Sequence, residues 1–121
     1  MFNTLSFRAM ESSLDALWMK QNVIAHNLAN YETAGYKAKN VSFQNVLESA
    51  ASAERGTRRR YDFKATVTAQ TGTSERPDGN NVDFDRENIE LMNTYYQTLA
   101  LYQKVSGQIS DMRYVIGQSF K

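Results

Sequence analysis

The side chains able to do chemistry in this chain are few and badly placed for it. His26 is the only histidine and there is no cysteine, so disulfides and thiolate metal sites are excluded. His26 has no second ligand or acid/base partner at a recognisable spacing, which predicts a solvent-facing or capping role and no metal or other cofactor. The run Asp78-Gly79-Asn80-Asn81-Val82-Asp83-Phe84-Asp85-Arg86-Glu87 is rich in oxygen ligands, and the chemistry it suggests is calcium binding. An EF-hand loop needs oxygens at its first, third and fifth positions and glycine at its sixth. Counting from Asp78 puts Val82 fifth and Asp83 sixth, and counting from Asp83 puts Asn88 sixth, so both registers fail. Arg55, Arg58, Arg59 and Arg60 could meet phosphates, but no aromatic interleaves them before Tyr61 and no nucleic-acid module surrounds them. A solvated loop or a contact to an acidic patch on a neighbouring subunit is the expectation there, with no nucleic-acid partner. Without a nucleophile/base pair or a phosphate-binding glycine loop, the sequence does not read as an enzyme.

What remains is a set of small polar residues at fixed distances: Asn27, Leu28, Ala29, Asn30, then Thr33, Gly35 and Tyr36. Short amides bond nearby backbone groups and glycine accepts positive φ, so this stretch ends a helix and turns the chain. The Asp78 to Glu87 run does the converse. Asp85 is expected as N-cap, Glu87 in the first turn where the helix dipole favours it, and Phe84 against Ile89 as a hydrophobic staple.

The elements holding these two stretches follow from periodicity. Phe7, Met10, Leu14, Leu17, Gln21, Ile24 and Leu28 alternate by three and four, one seam of a helix from about Asn3 to Asn30. Leu91, Tyr95, Thr98, Tyr102, Val105, Ile109, Met112 and Ile116 do the same in a second helix from about Arg86 to Ser119, with Phe120 one turn on. Between them, Ser42 could cap a short helix with an apolar face at Phe43, Val46, Leu47 and Ala50. Tyr61, Phe63, Ala65 and Val67 alternate with polar residues as a half-buried strand would, with Thr71 to Glu75 as the candidate partner. The segment 49–74 is otherwise a surface excursion rich in Ala, Ser, Thr, Gly and Arg.

The fold expected is therefore mainly α: two long terminal helices in an elongated antiparallel, coiled-coil-like pair, with a short helix and a small extended or β excursion between them. Its organisation is a discontinuous helical core of 1–36 plus 83–121, and a connecting excursion of 37–82. The chain has 121 residues and a net charge of +1, which suits a self-associating subunit better than a nucleic-acid binder. From Glu48 to Asn88 there is no Leu, Ile or Met, so the large aliphatics sit at the two ends. A single seam closed across so long a loop is marginal, and apolar residues such as Phe7, Trp18, Tyr96, Leu101 and Tyr114 are expected to be covered by partner subunits. Non-closing head-to-tail contacts would then build a helical tube. The start of the chain carries no basic and apolar leader, and no window approaches the roughly 18 apolar residues of a membrane span.

The stretch Asn27 to Tyr36 resembles the N-terminal motif of the flagellar rod and hook family, Asn-Leu/Ile-Ala-Asn, two variable residues, then Thr-Pro-Gly-Tyr/Phe. Ala34 stands where that family usually has proline, leaving the turn less rigid. The run from Asp78 to Asp85 with Glu87, together with Tyr102-Gln103, resembles the proximal rod members, and 49–76 is unmatched. The resemblance implies a structural subunit of the proximal rod, assembling with copies of itself and other proximal rod proteins into a torque-transmitting tube through which export substrates pass. It also implies a periplasmic place in the flagellar basal body, reached through the flagellar type III export gate without a cleaved signal peptide. Phe43 and Leu47 resemble the short hydrophobic element read at that gate. A small helical adaptor or secretion chaperone is the competing reading, and it leaves both motifs unexplained.

Overall fold

The computed structural model describes residues 5–45, 63–72 and 76–118. Helix α1 spans Leu5–Ala29, strand β1 Lys39–Asn45, strand β2 Phe63–Ala69, and helix α2 Phe84–Gln118. At 1.5 Å per residue α1 is about 37 Å long and α2 about 52 Å. The helices pack antiparallel. Gln108 Nε2 reaches Ser6 Oγ at 3.3 Å, Gln21 Nε2 reaches Thr98 Oγ1 at 3.3 Å, and Lys20 Nζ donates to Glu90 Oε2 at 2.7 Å. Past Gln108, α2 continues to Gln118.

On α1 the seam is formed by Met10, Leu17 and Ile24, all buried, with Leu14 and Leu28 half-buried. On α2 the seam is not the one periodicity selects. Leu91, Thr98, Val105 and Met112 do face inward, but Tyr95, Tyr102, Ile109 and Ile116 are exposed, Tyr95 by 56% and Tyr102 by 57%. The intervening inward positions are Thr94, Leu101 and Gln108. The reason is steric. Thr94 is completely buried with its hydroxyl bonded to Glu90 O at 2.7 Å, so the small residue lies against α1 and the bulky tyrosine beside it turns out. Small side chains along the interface leave an open apolar groove between Ser13, Ala16 and Leu17 on α1 and Gln97, Ala100 and Leu101 on α2.

The short helix expected at Val41–Leu47 is replaced over 41–45 by β1, which pairs antiparallel with β2 from Lys39 opposite Ala69 to Asn45 opposite Phe63. Val41 is buried and Ser42 exposed, a period of two, and Ser42 Oγ lies 2.9 Å from Thr66 Oγ1 across the ladder. A window that short is ambiguous by periodicity, and a facing strand containing Thr66, Val67 and Thr68 settles it in favour of a sheet. Among the described residues the partner of β2 is β1, and residues 73–75 of the expected partner lie outside them. The hairpin leans on α1, adding Ala38 and Val41 to a core completed by Ala16 and Val82. Leu47, Arg55, Arg58, Arg59, Arg60, Tyr61 and Phe120 lie outside the described residues.

Candidate functional site: an amide-stapled joint

The two stretches singled out by their polar residues, far apart in sequence, meet at the end of the helix pair where α1 stops and α2 starts. After Ala29 the chain tightens: Asn30 N bonds His26 O and Asn27 O, Tyr31 N bonds Leu28 O, and Thr33 N bonds Asn30 O. Gly35 then takes φ +70 and its N–H donates to Asp78 O at 2.8 Å. Opposite it Gly79 takes φ +79, and a Cβ built there would lie 3.5 Å from Gly35 Cα. Two left-handed turns therefore pack back to back, which is why glycine stands at both corners. Lys37 Nζ closes over them to Gly79 O at 2.8 Å.

Three asparagines staple the joint. Asn27 is completely buried and its amide is saturated: Nδ2 donates to Lys39 O at 2.7 Å and Glu87 Oε2 at 3.1 Å, while Oδ1 accepts from Lys39 N at 2.9 Å and the Tyr36 hydroxyl at 3.1 Å. One side chain thus ties α1, the turn, β1 and α2 together. Asn80, also completely buried, points Nδ2 at Asn30 O, Tyr31 O and Thr33 O at 2.8 to 3.0 Å and accepts Val82 N at 2.8 Å. It caps the carbonyls left over where α1 ends. Asn81 takes Ala38 N at 2.6 Å and gives Nδ2 to Gln70 O at 2.9 Å, fixing the hairpin. Satisfying each of these buried amides is what makes them tolerable, since an orphaned one costs about 1–3 kcal/mol.

The start of α2 differs from the expected one by two residues. Asp83, not Asp85, is the cap: its Oδ1 accepts from Arg86 N at 3.1 Å and its carbonyl from Glu87 N at 3.0 Å. Phe84 leaves the exposed Ile89 and packs at a tilt against Tyr31 instead, ring centroids 5.3 Å apart. The Arg76 guanidinium lies over the Tyr31 ring, 4.3 Å from its centroid, and Arg76 Nη2 bonds the Tyr31 carbonyl. Arg76 Nε lies 3.8 Å from Asp78 Oδ1, a charge contact too long for a hydrogen bond. Arg76, Tyr31, Lys37 and Gln70 belong to the joint although their types alone did not mark them; Arg76 sits beside the Pro77-Asp78-Gly79 turn, the one signal that could have found it.

Not every marked residue is brought in. Asn30 is half-exposed and makes only local side-chain bonds, Nδ2 to His26 O at 2.8 Å and Oδ1 from Thr33 Oγ1 at 3.2 Å. Ala29, Asp85 and His26 are exposed, while Val82 is buried. Phe43 lies in β1 opposite Ala65.

Electrostatically the joint is unusual in holding a buried carboxyl group. Burial pushes Glu87 above the ordinary carboxylate range, outweighing the Asn27 hydrogen bond and the nearby Arg86, which favour its charge. Burial, and then the neighbouring Glu87 charge, raises the Tyr36 phenol. Nothing here pairs a nucleophile with a base. The arrangement fixes the angle and register of two helices and the hairpin beside them. Among the described residues no group of three or more His, Cys, Asp or Glu could hold a metal ion, and no helix is long and apolar enough to cross a membrane.

Comparison with known proteins gives this joint its context. Residues 7–37, which run from α1 to the turn, match the family described as flagella basal body rod protein. The chain is 36% identical over 115 residues to the flagellar basal body rod protein FlgB of Bacillus subtilis (strain 168), covering 88% of this chain and 89% of that one. It is 28% identical over 127 residues to FlgB of Escherichia coli (strain K12), covering 92% of each. A third relative, FlgB of Buchnera aphidicola, is 25% identical over 132 residues, or 96% of this chain and 98% of its own. With 36% identity to the Bacillus subtilis protein over most of both chains, the chain belongs to the flagellar basal body rod protein family, among its FlgB-type members.

Proposed function

We propose that this structural rod subunit of the flagellar basal body uses the stapled joint to set its helices at one fixed angle, and the uncovered face of α2 to pack against its neighbours. The observation that carries the reading is that face. Met92, Tyr95, Leu99, Tyr102, Ile109 and Ile116 are exposed and repeat by three, four and seven, the spacing of a helix-packing seam, yet no part of the described chain covers them. Members of a rod family assemble with other rod proteins, and further copies of this chain and the other proximal rod proteins are the partners this seam fits. A tube built this way transmits motor torque and leaves a central path for export substrates. Residues 1–36 with 83–121 form its core and 37–82 the excursion. On this reading the subunit works in the periplasm and reaches it through the type III export gate without a cleaved signal peptide, with Phe43 and Leu47 as the element read in transit.

The test is a double substitution, Tyr95→Asp with Tyr102→Asp. Unfolding of the purified chain should shift by no more than about 0.5 kcal/mol per site, because both side chains already face solvent. Incorporation into basal bodies and swimming in soft agar should both be lost. A variant that still enters the rod normally removes the support for this face as the packing surface.

A further inference from the structure

Glu87 is buried, with 8% of its surface exposed, and its described hydrogen bond engages Oε2 alone, with Asn27 Nδ2. Its side chain also forms part of the wall of a polar cavity of about 230 Å³ between α1, the start of β1 and the first turns of α2. The charged and titratable groups around it come from every neighbouring element: Lys20 from α1, Tyr36 from the turn, Lys39 from β1, the cap Asp83, and Arg86 and Glu90 from α2. Lys20 is engaged by Glu90 at 2.7 Å, so Lys39 and Arg86 supply the remaining positive charge on the cavity wall.

These positions offer Glu87 two environments. Turned inward it meets the single Asn27 amide donor, which favours its charge but does not offset the burial of a carboxylate. Turned into the cavity it meets two cations and room for water. We propose that Glu87 is a proton-operated latch: protonated, it sits on Asn27 and holds the joint shut; ionised, it swings toward Lys39 and Arg86, releases Asn27 Nδ2 and loosens the joint. Asn27 is the common partner of Lys39 and Tyr36, so its release is felt by the turn and β1 together. The direction follows from linkage. A carboxyl group raised by folding contributes its stability in full below the ordinary carboxylate range and loses it as pH rises through the raised value.

The Lys39 amide, which donates to Asn27 Oδ1 at 2.9 Å, reports on the latch in the full-length chain. Carbon NMR should show the Glu87 carboxyl titrating above the ordinary carboxylate range. Hydrogen-exchange protection of the Lys39 amide, corrected for the intrinsic effect of pH, should fall several-fold over the same interval. In Glu87→Gln, which keeps an acceptor for Asn27 and cannot ionise, protection should stay level. The latch is overturned if Glu87 titrates within the ordinary carboxylate range, if Lys39 protection is constant or absent at every pH, or if Glu87→Gln reproduces the fall. The carboxyl titration and the exchange of the unaltered chain decide the matter even if the variant folds poorly. None of these readouts depends on rod assembly.

Discussion

The joint and the outer face of α2 are opposite solutions to the same problem. At the joint, buried amides find partners within the chain: Asn27 fills its full capacity, and Asn80 gathers the loose carbonyls at the end of α1. Along the outer face, Tyr95, Tyr102 and Ile116 remain 56%, 57% and 42% exposed. Amide networks are directional and lose much if one member moves, whereas apolar stripes tolerate sliding and repacking. The chain therefore fixes by itself the part that must be specific, the geometry between its helices, and leaves open the part that neighbours can complete.

Asn27→Leu should break that contrast most severely. Leucine is close in size but leaves the Lys39 N–H and C=O, the Tyr36 hydroxyl and Glu87 without their partner in a buried site. At about 1–3 kcal/mol for each orphaned group that cannot reach water, a loss of about 3–5 kcal/mol is expected, enough to unfold a marginal chain. Chemical denaturation followed by circular dichroism measures it. A loss under about 1 kcal/mol would mean that water enters the joint freely and that the network does not hold the helices.

The sequence disclosed the two halves of this joint without disclosing that they touch. Asn27, Gly35, Asp78 and Gly79 could be recognised as turn residues because turn chemistry is local. Their mutual bonds, such as Gly35 N to Asp78 O, span a loop whose closure no local rule specifies. Both long helices were legible for the complementary reason, since a three-four repeat sustained over many turns admits few alternatives. The choice of face on α2 was not. The inward stripe through Thr94 and Leu101 and the outward one through Tyr95 and Tyr102 lie one residue apart, and hydrophobicity favours the outward stripe. Only the close approach of α1 at the small Thr94 decides between them. The strand at 39–45 was missed because the pairing that creates it comes from residues 63–69.

A milder perturbation separates backbone geometry from side-chain bonding. In Gly79→Ala the new methyl would meet Gly35 Cα at 3.5 Å, ordinary contact, so the cost comes from holding a non-glycine residue at φ +79. That is about 1–2 kcal/mol. Denaturant midpoints should drop accordingly with an unchanged slope, which would show that the back-to-back turns persist under strain.

The smallest effect is expected at Asn30, the twin of Asn27 in the same motif. The two asparagines look equivalent in sequence, but the Asn30 amide bonds only His26 O one turn back and the Thr33 hydroxyl, and it is half-exposed. Its backbone carbonyl, rather than its side chain, is what Asn80 holds. Asn30→Ala therefore removes a local cap whose carbonyl can turn to water, a loss of about 0.5–1 kcal/mol. Set beside Asn27→Leu in the same denaturation series, it should leave most of the stability intact. If Asn30→Ala nonetheless prevents incorporation into basal bodies, its side chain is used between subunits, and the motif divides into one asparagine for the fold and one for the assembly. Equal destabilisation by the two substitutions would instead make the whole turn a single cooperative unit.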